Sequence, residues 1–191
     1  MGDKTYFGLF KVVGEFPNGA PRGATVHYTA SHNVSATVRA LAAKGLGYHF
    51  IIDRDGTIYQ CAGTNEVLNH AGRSAWGDTF PNREHVGVAL ISWGQVTWTS
   101  DEYLTTWCGV RLPASEGVKT GKTWWHKATE EQEKSLFSLL KNLVDSGVPA
   151  KNICGHDECC IPKGRKVDPG GVVDVKKIRS LLSRPARVGI A

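Results

Sequence analysis

Gly47-Tyr48-His49-Phe50-Ile51-Ile52-Asp53-Arg54-Asp55-Gly56-Thr57-Ile58-Tyr59-Gln60-Cys61 is the run whose reading decides the fold. Two segments rich in aromatic and β-branched residues flank Asp55-Gly56. Asp-Gly in that setting is the strongest short-range hairpin signal in the chain. It demands one antiparallel strand pair. The other apolar runs are separated by helical patterns, so strands and helices interleave. The expected fold class is α/β, a single domain with a central mixed β-sheet flanked by α-helices.

Upstream, Ala24-Thr25-Val26-His27-Tyr28 reads as a short buried strand ending at His27. Asn33 or Ser35 then caps a helix over residues 36–44, with Val38, Leu41 and Ala42 on one face and Gly45 as its stop. Residues 1–23 read as a turn-rich lead-in. Downstream, residues 66–72 read as a loop ending in His70-Ala71-Gly72, and Val86–Ile91 as another buried strand. Residues 93–127 hold Trp93, Trp98, Trp107, Trp124 and Trp125. They read as an irregular, elaborated connection with its own small cluster. Thr129 and Gln132 form a capping-box pattern before a helix whose buried stripe is Leu136, Leu139, Leu140, Leu143 and Val144. Residues 149–156 read as a short strand and 173–182 as a last helix. The expected organisation is an N-terminal extension (1–23), one main domain (24–183) carrying the insertion 93–127, and a basic tail (184–191).

The 191 residues allow a sizeable core. A net charge of +5 suggests an anionic partner, whether nucleic acid, a lipid surface or an anionic polymer. The basic residues are scattered, so a merely solvated surface explains them equally well. Five cysteines lack framework spacing and read as free thiols in a reducing compartment. The first residues show no basic region followed by an apolar run, and no stretch reaches membrane-spanning length. The expectation is a chain made as a soluble cytoplasmic protein, which something else must release if its target lies outside the membrane.

Chemistry concentrates in Gly155-His156-Asp157-Glu158 through Gly164-Arg165-Lys166-Val167-Asp168-Pro169-Gly170, a Gly/Pro-rich segment read as a loop. His27, His156 and Asp168 are the donor types of a catalytic zinc site, which takes three protein ligands and keeps one position open. Lys166 lies two residues before Asp168, so in extended backbone both side chains point the same way. It is placed to meet the oxyanion that develops when an amide is attacked. A histidine at a strand end is commonly a hydrogen-bonded structural residue, and spacing alone leaves that reading open. A rival set, Cys154, His156, Cys159 and Cys160, crowds four ligands into seven residues, a poor geometry for a tetrahedral cage.

Five blocks occur in one order: His27-Tyr28-Thr29-Ala30; Gly47 through Tyr59; His70-Ala71-Gly72; Asn82 with Val86-Gly87-Val88; and Gly155-His156-Asp157-Glu158 with Gly164 through Gly170. In these blocks, over roughly residues 24–175, the sequence resembles the zinc-dependent N-acetylmuramoyl-L-alanine amidases of the type-2 amidase and peptidoglycan-recognition-protein superfamily. The Gly47–Ile52 run looks most like phage T7 lysozyme. The resemblance implies a peptidoglycan hydrolase of the endolysin kind, cutting between N-acetylmuramic acid and L-alanine with Zn2+ as cofactor. It implies His27, His156 and Asp168 as zinc ligands, Tyr48 and Lys166 as catalytic side chains, and His70 as a substrate-binding residue. Some members carry a glutamate base where Ala89 stands here, so that base is missing. Bacterial peptidoglycan is the expected partner, with a monomeric chain, no nucleic acid and no stable membrane anchor. The T7 likeness adds inhibition of a phage RNA polymerase, for which no residue argues. A cytoplasmic muropeptide-recycling amidase and a non-catalytic peptidoglycan-binding module are the alternatives.

Overall fold

Strands buried on both faces need cover from two sides, and the chain supplies it with helices. The computed structural model describes Asp3 and residues 5–184; most of the basic tail therefore lies outside the described residues. In chain order the elements are β1 (Val12–Glu15), β2 (Gly23–Tyr28), α1 (Val34–Ala42), β3 (Phe50–Ile52), β4 (Ile58–Gln60), β5 (Glu66–Leu68), α2 (Pro81–Glu84) and β6 (His85–Leu90). There follow β7 (Gln95–Trp98), β8 (Tyr103–Thr106), β9 (Arg111–Pro113), β10 (Gly117–Thr120), β11 (Thr123–His126), α3 (Glu130–Asp145), β12 (Ile153–Gly155), α4 (His156–Cys159) and α5 (Val175–Leu182).

The central sheet has the order β12-β2-β6-β3-β4. The first four strands are parallel, and β4 runs antiparallel to β3 through the Asp55-Gly56 hairpin. The mixed sheet expected from sequence is therefore present. Ala24, Val26, Val88, Leu90 and Ile52 join one core with Leu136 and Leu140 of α3 and Ile178 of α5. Ile51 and Ile91 join a second core with Val34 and Val38 of α1. Each fully buried leucine contributes roughly 1.5–3 kcal/mol.

Helix α3 starts where the sequence placed it. Thr129 Oγ1 accepts from Gln132 N at 3.0 Å, and Gln132 Oε1 accepts from Thr129 N at 3.2 Å. The same buried glutamine donates to the carbonyls of Ile52 and Ile91, both at 3.0 Å, and so ties the helix start to the ends of two strands. Asn33 caps α1 through Ala36 N at 2.7 Å.

Four local expectations are corrected. Residues 66–68 are not loop; β5 pairs with β1, which lies in the lead-in read as turns. The strand expected over 149–156 is confined to β12, because a 3-10 turn takes Ala150–Asn152. The Gly/Pro-rich loop begins with the single helical turn α4. Residues 95–126, read as irregular, form a second five-stranded sheet, antiparallel throughout, in the order β10-β11-β7-β8-β9. Its strands are three or four residues long, too short for a period-two pattern to stand out. No helix among the described residues is long and apolar enough to cross a membrane.

Two histidines away from the candidate site hold the structure in the uncharged form. His49 donates from Nε2 to the Glu66 carbonyl at 2.8 Å and accepts from Gly87 N at 2.9 Å. His85 sits between the hydroxyls of Thr25 (3.1 Å) and Thr79 (2.8 Å). Burial pushes both down to about 4. The unfolded chain takes up these protons near the ordinary value of about 6.5, so below that pH it binds more protons than the folded chain. Their contribution is complete above about pH 6.5 and is lost as pH falls towards 4, at up to about 1.4 kcal/mol per pH unit for each. Urea unfolding of chelator-treated protein should show stability falling over this window, and His85→Gln should flatten the slope. A stability independent of pH from 7 to 4.5 would contradict the assignment.

Candidate metal centre

Parallel pairing places Gly155 level with Val26. The residues that follow, His156 and His27, therefore leave the sheet side by side at the carboxyl ends of neighbouring strands, the usual position for sites in open α/β sheets. Both side chains are buried, His27 completely. The loop after α4 returns and is pinned by Asp157 N donating to the Asp168 carbonyl at 2.6 Å. That bond sets Asp168 Oδ2 2.8 Å from His27 Nδ1 and 3.0 Å from His156 Nδ1. One ligand atom from each of the three residues lies within 4.8 Å of the others.

The hydrogen-bond partners behind the rings decide where the protons are. His156 Nε2 lies 2.9 Å from the Ala71 carbonyl, which can only accept, so Nε2 carries the hydrogen. His70 Nε2 lies 3.0 Å from the His85 carbonyl, so His70 Nδ1 is the bare nitrogen of that ring. It accepts from His27 Nε2 at 3.1 Å. Burial pushes His27 down to about 4, and it is uncharged at neutral pH. With the ring hydrogens placed behind them, both Nδ1 atoms turn lone pairs towards the Asp168 carboxylate oxygen. Three acceptors converge with no donor between them. This arrangement calls for a cation, and two histidines with one carboxylate are a donor set that zinc takes.

An outer ring of contacts holds these groups. Asn82 Oδ1 accepts from three successive backbone amides, His70 (2.9 Å), Ala71 (2.8 Å) and Gly72 (3.0 Å). The Arg165 guanidinium donates to the carbonyls of Ala71 (3.1 Å) and Arg73 (2.9 Å), fastening the Asp168 loop to the same segment. Gly87 leaves room for His70, since a Cβ there would stand 2.8 Å from the His70 ring. His70, expected to bind substrate, touches the cavity, yet both its ring nitrogens are occupied within the protein. Its geometry is that of a support for His27.

Tyr28, Tyr48, His70, His156, Lys166 and Asp168 are among the residues lining a cavity of about 340 Å3. The Tyr48 ring lies 4.8 Å from the His27 ring. Burial, and then the Asp168 charge, push the Tyr48 phenol well above its ordinary value, so it keeps its proton and can donate it in a hydrogen bond. Lys166 is exposed at the rim. Ala89 is level with His27 on the adjoining strand and is fully buried, so a methyl group occupies the place beside the ligand set. A larger depression of about 640 Å3, walled partly by Trp125 and Pro169–Val172, contains none of the three converging groups. The rival cysteine set does not assemble: Cys154 Sγ faces Thr25 Oγ1 at 3.7 Å and Cys159 Sγ the His156 carbonyl at 3.6 Å, while the His156 ring points elsewhere.

Sequence reasoning assigned no role to Arg165, Tyr28 or Asn82. Asn82 stood in one of the ordered blocks. Nothing in its type or spacing signals that it gathers amides from a loop ten residues upstream.

Comparison with known proteins places this architecture. The structure is similar to the amidase AmiD from E. coli in complex with anhydro-N-acetylmuramic acid-L-Ala-D-γ-Glu-L-Lys (TM-score 0.63, 19% identity, 92% of this chain and 62% of that one). It is also similar to an AmpD derivative (TM-score 0.59, 20% identity, 94% and 93%) and to the endolysin amidase LysCS from Clostridium intestinale (TM-score 0.58, 17% identity, 92% and 93%). At such identities the likeness shows the fold. A Rickettsia conorii protein named for a proposed N-acetylmuramoyl-L-alanine amidase activity is 34% identical over 80 residues, which are 40% of this chain and 30% of that protein. The family model described as N-acetylmuramoyl-L-alanine amidase matches residues 17–171, and the chain belongs to that family.

Proposed function

We propose that this chain is a zinc-dependent peptidoglycan hydrolase of the endolysin kind. It cleaves the amide joining the lactyl group of N-acetylmuramic acid to L-alanine. The observation that carries the reading is the convergence of three bare acceptors, His27 Nδ1, His156 Nδ1 and Asp168 Oδ2, beside an open cavity. His27, His156 and Asp168 would hold a zinc ion, which when bound would act as a Lewis acid on the scissile carbonyl and lower the pKa of water. The chain's own groups do the rest. The cavity admits the lactyl-peptide junction. The Lys166 ammonium at the rim faces the negative charge that grows on the amide oxygen. The Tyr48 phenol, kept protonated, orients water through its O–H and assists proton transfer. Ala89 offers no carboxylate base, which leaves Tyr48 and Lys166, both as hydrogen-bond donors, as the side chains beside the reacting centre. A complete ligand set weighs against a module that binds without cutting.

A second reading, a recycling amidase acting on soluble muropeptides, is favoured by one fact. Two of the similar structures hold small anhydromuramoyl peptides, the AmiD complex and AmpDh3 of Pseudomonas aeruginosa with an anhydromuramic pentapeptide. In the endolysin reading the chain waits in the host cytoplasm and meets the wall after release.

His156→Ala should abolish zinc retention and activity together, measured by metal analysis and by release of L-alanine amino termini from sacculi; full activity after chelation would refute the metal role. Lys166→Ala should retain zinc yet lose turnover on the order of a hundredfold, the scale of one oxyanion donor. Unchanged turnover would remove Lys166 from the chemistry. Turbidity loss on isolated sacculi well above turnover of soluble muropeptide supports the endolysin reading, and the reverse ratio supports recycling.

A further inference from the structure

The antiparallel sheet β7–β11 carries more tryptophan than its own core uses. That core is Trp93, Val96 and Leu104, with Leu112 and Trp124 packed against it. Trp107 is left 71% exposed and Trp98 37% exposed. Large exposed indoles on one patch mark a contact surface more often than chance. Here they are also organised. Trp124 is level with Val96, and Trp98 follows Val96 by two residues, so both indoles rise from one face of the sheet. They stack with ring centroids 4.4 Å apart and planes 25° from parallel. Together with Trp107, Thr97, Thr105 and Lys122 they line a groove of about 590 Å3.

The groove's chemistry selects its occupant. An exposed indole face accepts the apolar face of a sugar ring; Trp107 and the outer side of Trp98 offer such faces, and Trp124 backs Trp98 from beneath. Lys122 lies in the groove and Lys119 sits 5.8 Å over the Trp124 ring, so ammonium groups border the indoles and can donate to sugar hydroxyl and acetamido oxygens. The lining has aromatic, hydroxyl, carboxamide and ammonium groups and a single aliphatic side chain, Val96. An apolar protein partner would find little there.

The groove starts close to the metal-site cavity. Tyr28 lines that cavity, and Gly94, which packs against the Tyr28 ring, directly precedes the groove residue Gln95. Gly94, at φ +75°, lets β7 start hard against this tyrosine; a Cβ there would stand 2.2 Å from its ring. Trp93 continues the contact, stacked on His32 at 5.6 Å and edge-on to Trp107 at 6.5 Å.

We propose that Trp98, Trp107 and Trp124 form a glycan-binding subsite that holds the aminosugar strand of polymeric peptidoglycan while the stem-peptide junction lies in the metal-site cavity. The proposal rests on the amidase reading and adds to it a site that a soluble muropeptide does not need.

The test uses the full chain and its Trp107→Ala, Trp107→Phe and Trp98→Ala variants, with thermal unfolding to confirm that each is folded. The first readout is co-sedimentation of chelator-treated protein with purified sacculi. The second is tryptophan quenching by an N-acetylglucosamine hexasaccharide, and the third is turnover of soluble muropeptide by zinc-loaded protein. Both alanine variants should bind sacculi and hexasaccharide roughly tenfold more weakly, the scale of one lost aromatic contact. Trp107→Phe should keep most of the binding. Turnover of soluble muropeptide should be unchanged. Equal binding by Trp107→Ala and the parent overturns the subsite. So does a concentration-dependent dimer that Trp107→Ala dissolves, since the patch would then serve a second copy. If the parent cuts neither substrate while the sacculus binding still depends on Trp107, the amidase reading fails and the subsite stands.

Discussion

Two parallel strands that end side by side set the conditions for everything at the site. The β12–β2 register brings His156 and His27 out of the sheet together. One carboxylate oxygen on the returning loop then reaches both rings. The hydrogens of those rings are committed behind them, to a carbonyl and to His70. Three electron-rich atoms are left facing one point. Three such atoms facing one point make a set that could hold a metal ion. The hydrogen bonds behind the rings fix the ring orientations.

That orientation depends on groups far from the chemistry. A single side-chain oxygen, from Asn82, accepts the amides of the segment whose carbonyl orients His156 and whose histidine orients His27. Arg165 ties the aspartate loop to the same segment. An unsatisfied buried polar group costs on the order of 1–3 kcal/mol, so such a network is kept whole or not at all. The metal site and the packing of the sheet are therefore not separable. His85 offers its carbonyl to His70 and its ring to Thr25 of the strand that carries His27.

The second sheet changes what the cavity opens onto. Through Gly94 it packs against Tyr28, a wall residue of the metal-site cavity, and it presents a groove of indole, hydroxyl and ammonium groups nearby. In the proposed reading, a choice between soluble fragment and intact wall would lie in this neighbouring surface and not in the ligand set.

Much was legible before folding. Asp55-Gly56 between two β-rich runs dictated the hairpin, and Thr129 with Gln132 dictated where α3 begins, because both signals are local and act through the nearest backbone groups. The donor types His27, His156 and Asp168 could be named from residue chemistry and family resemblance. The short strands β7–β11 escaped notice because three or four residues do not show a period, and their pairing is a matter of distant partners. The same limit applied at the site. Residue type alone determined which atoms could bind a cation. Only the tertiary structure decided that His70 stands behind His27 with no nitrogen to spare, that Asn82 and Arg165 hold the ring partners, and which ring nitrogens are bare. The reason is physical: a ring's tautomer is set by what lies on its far side, and that neighbour comes from another part of the chain.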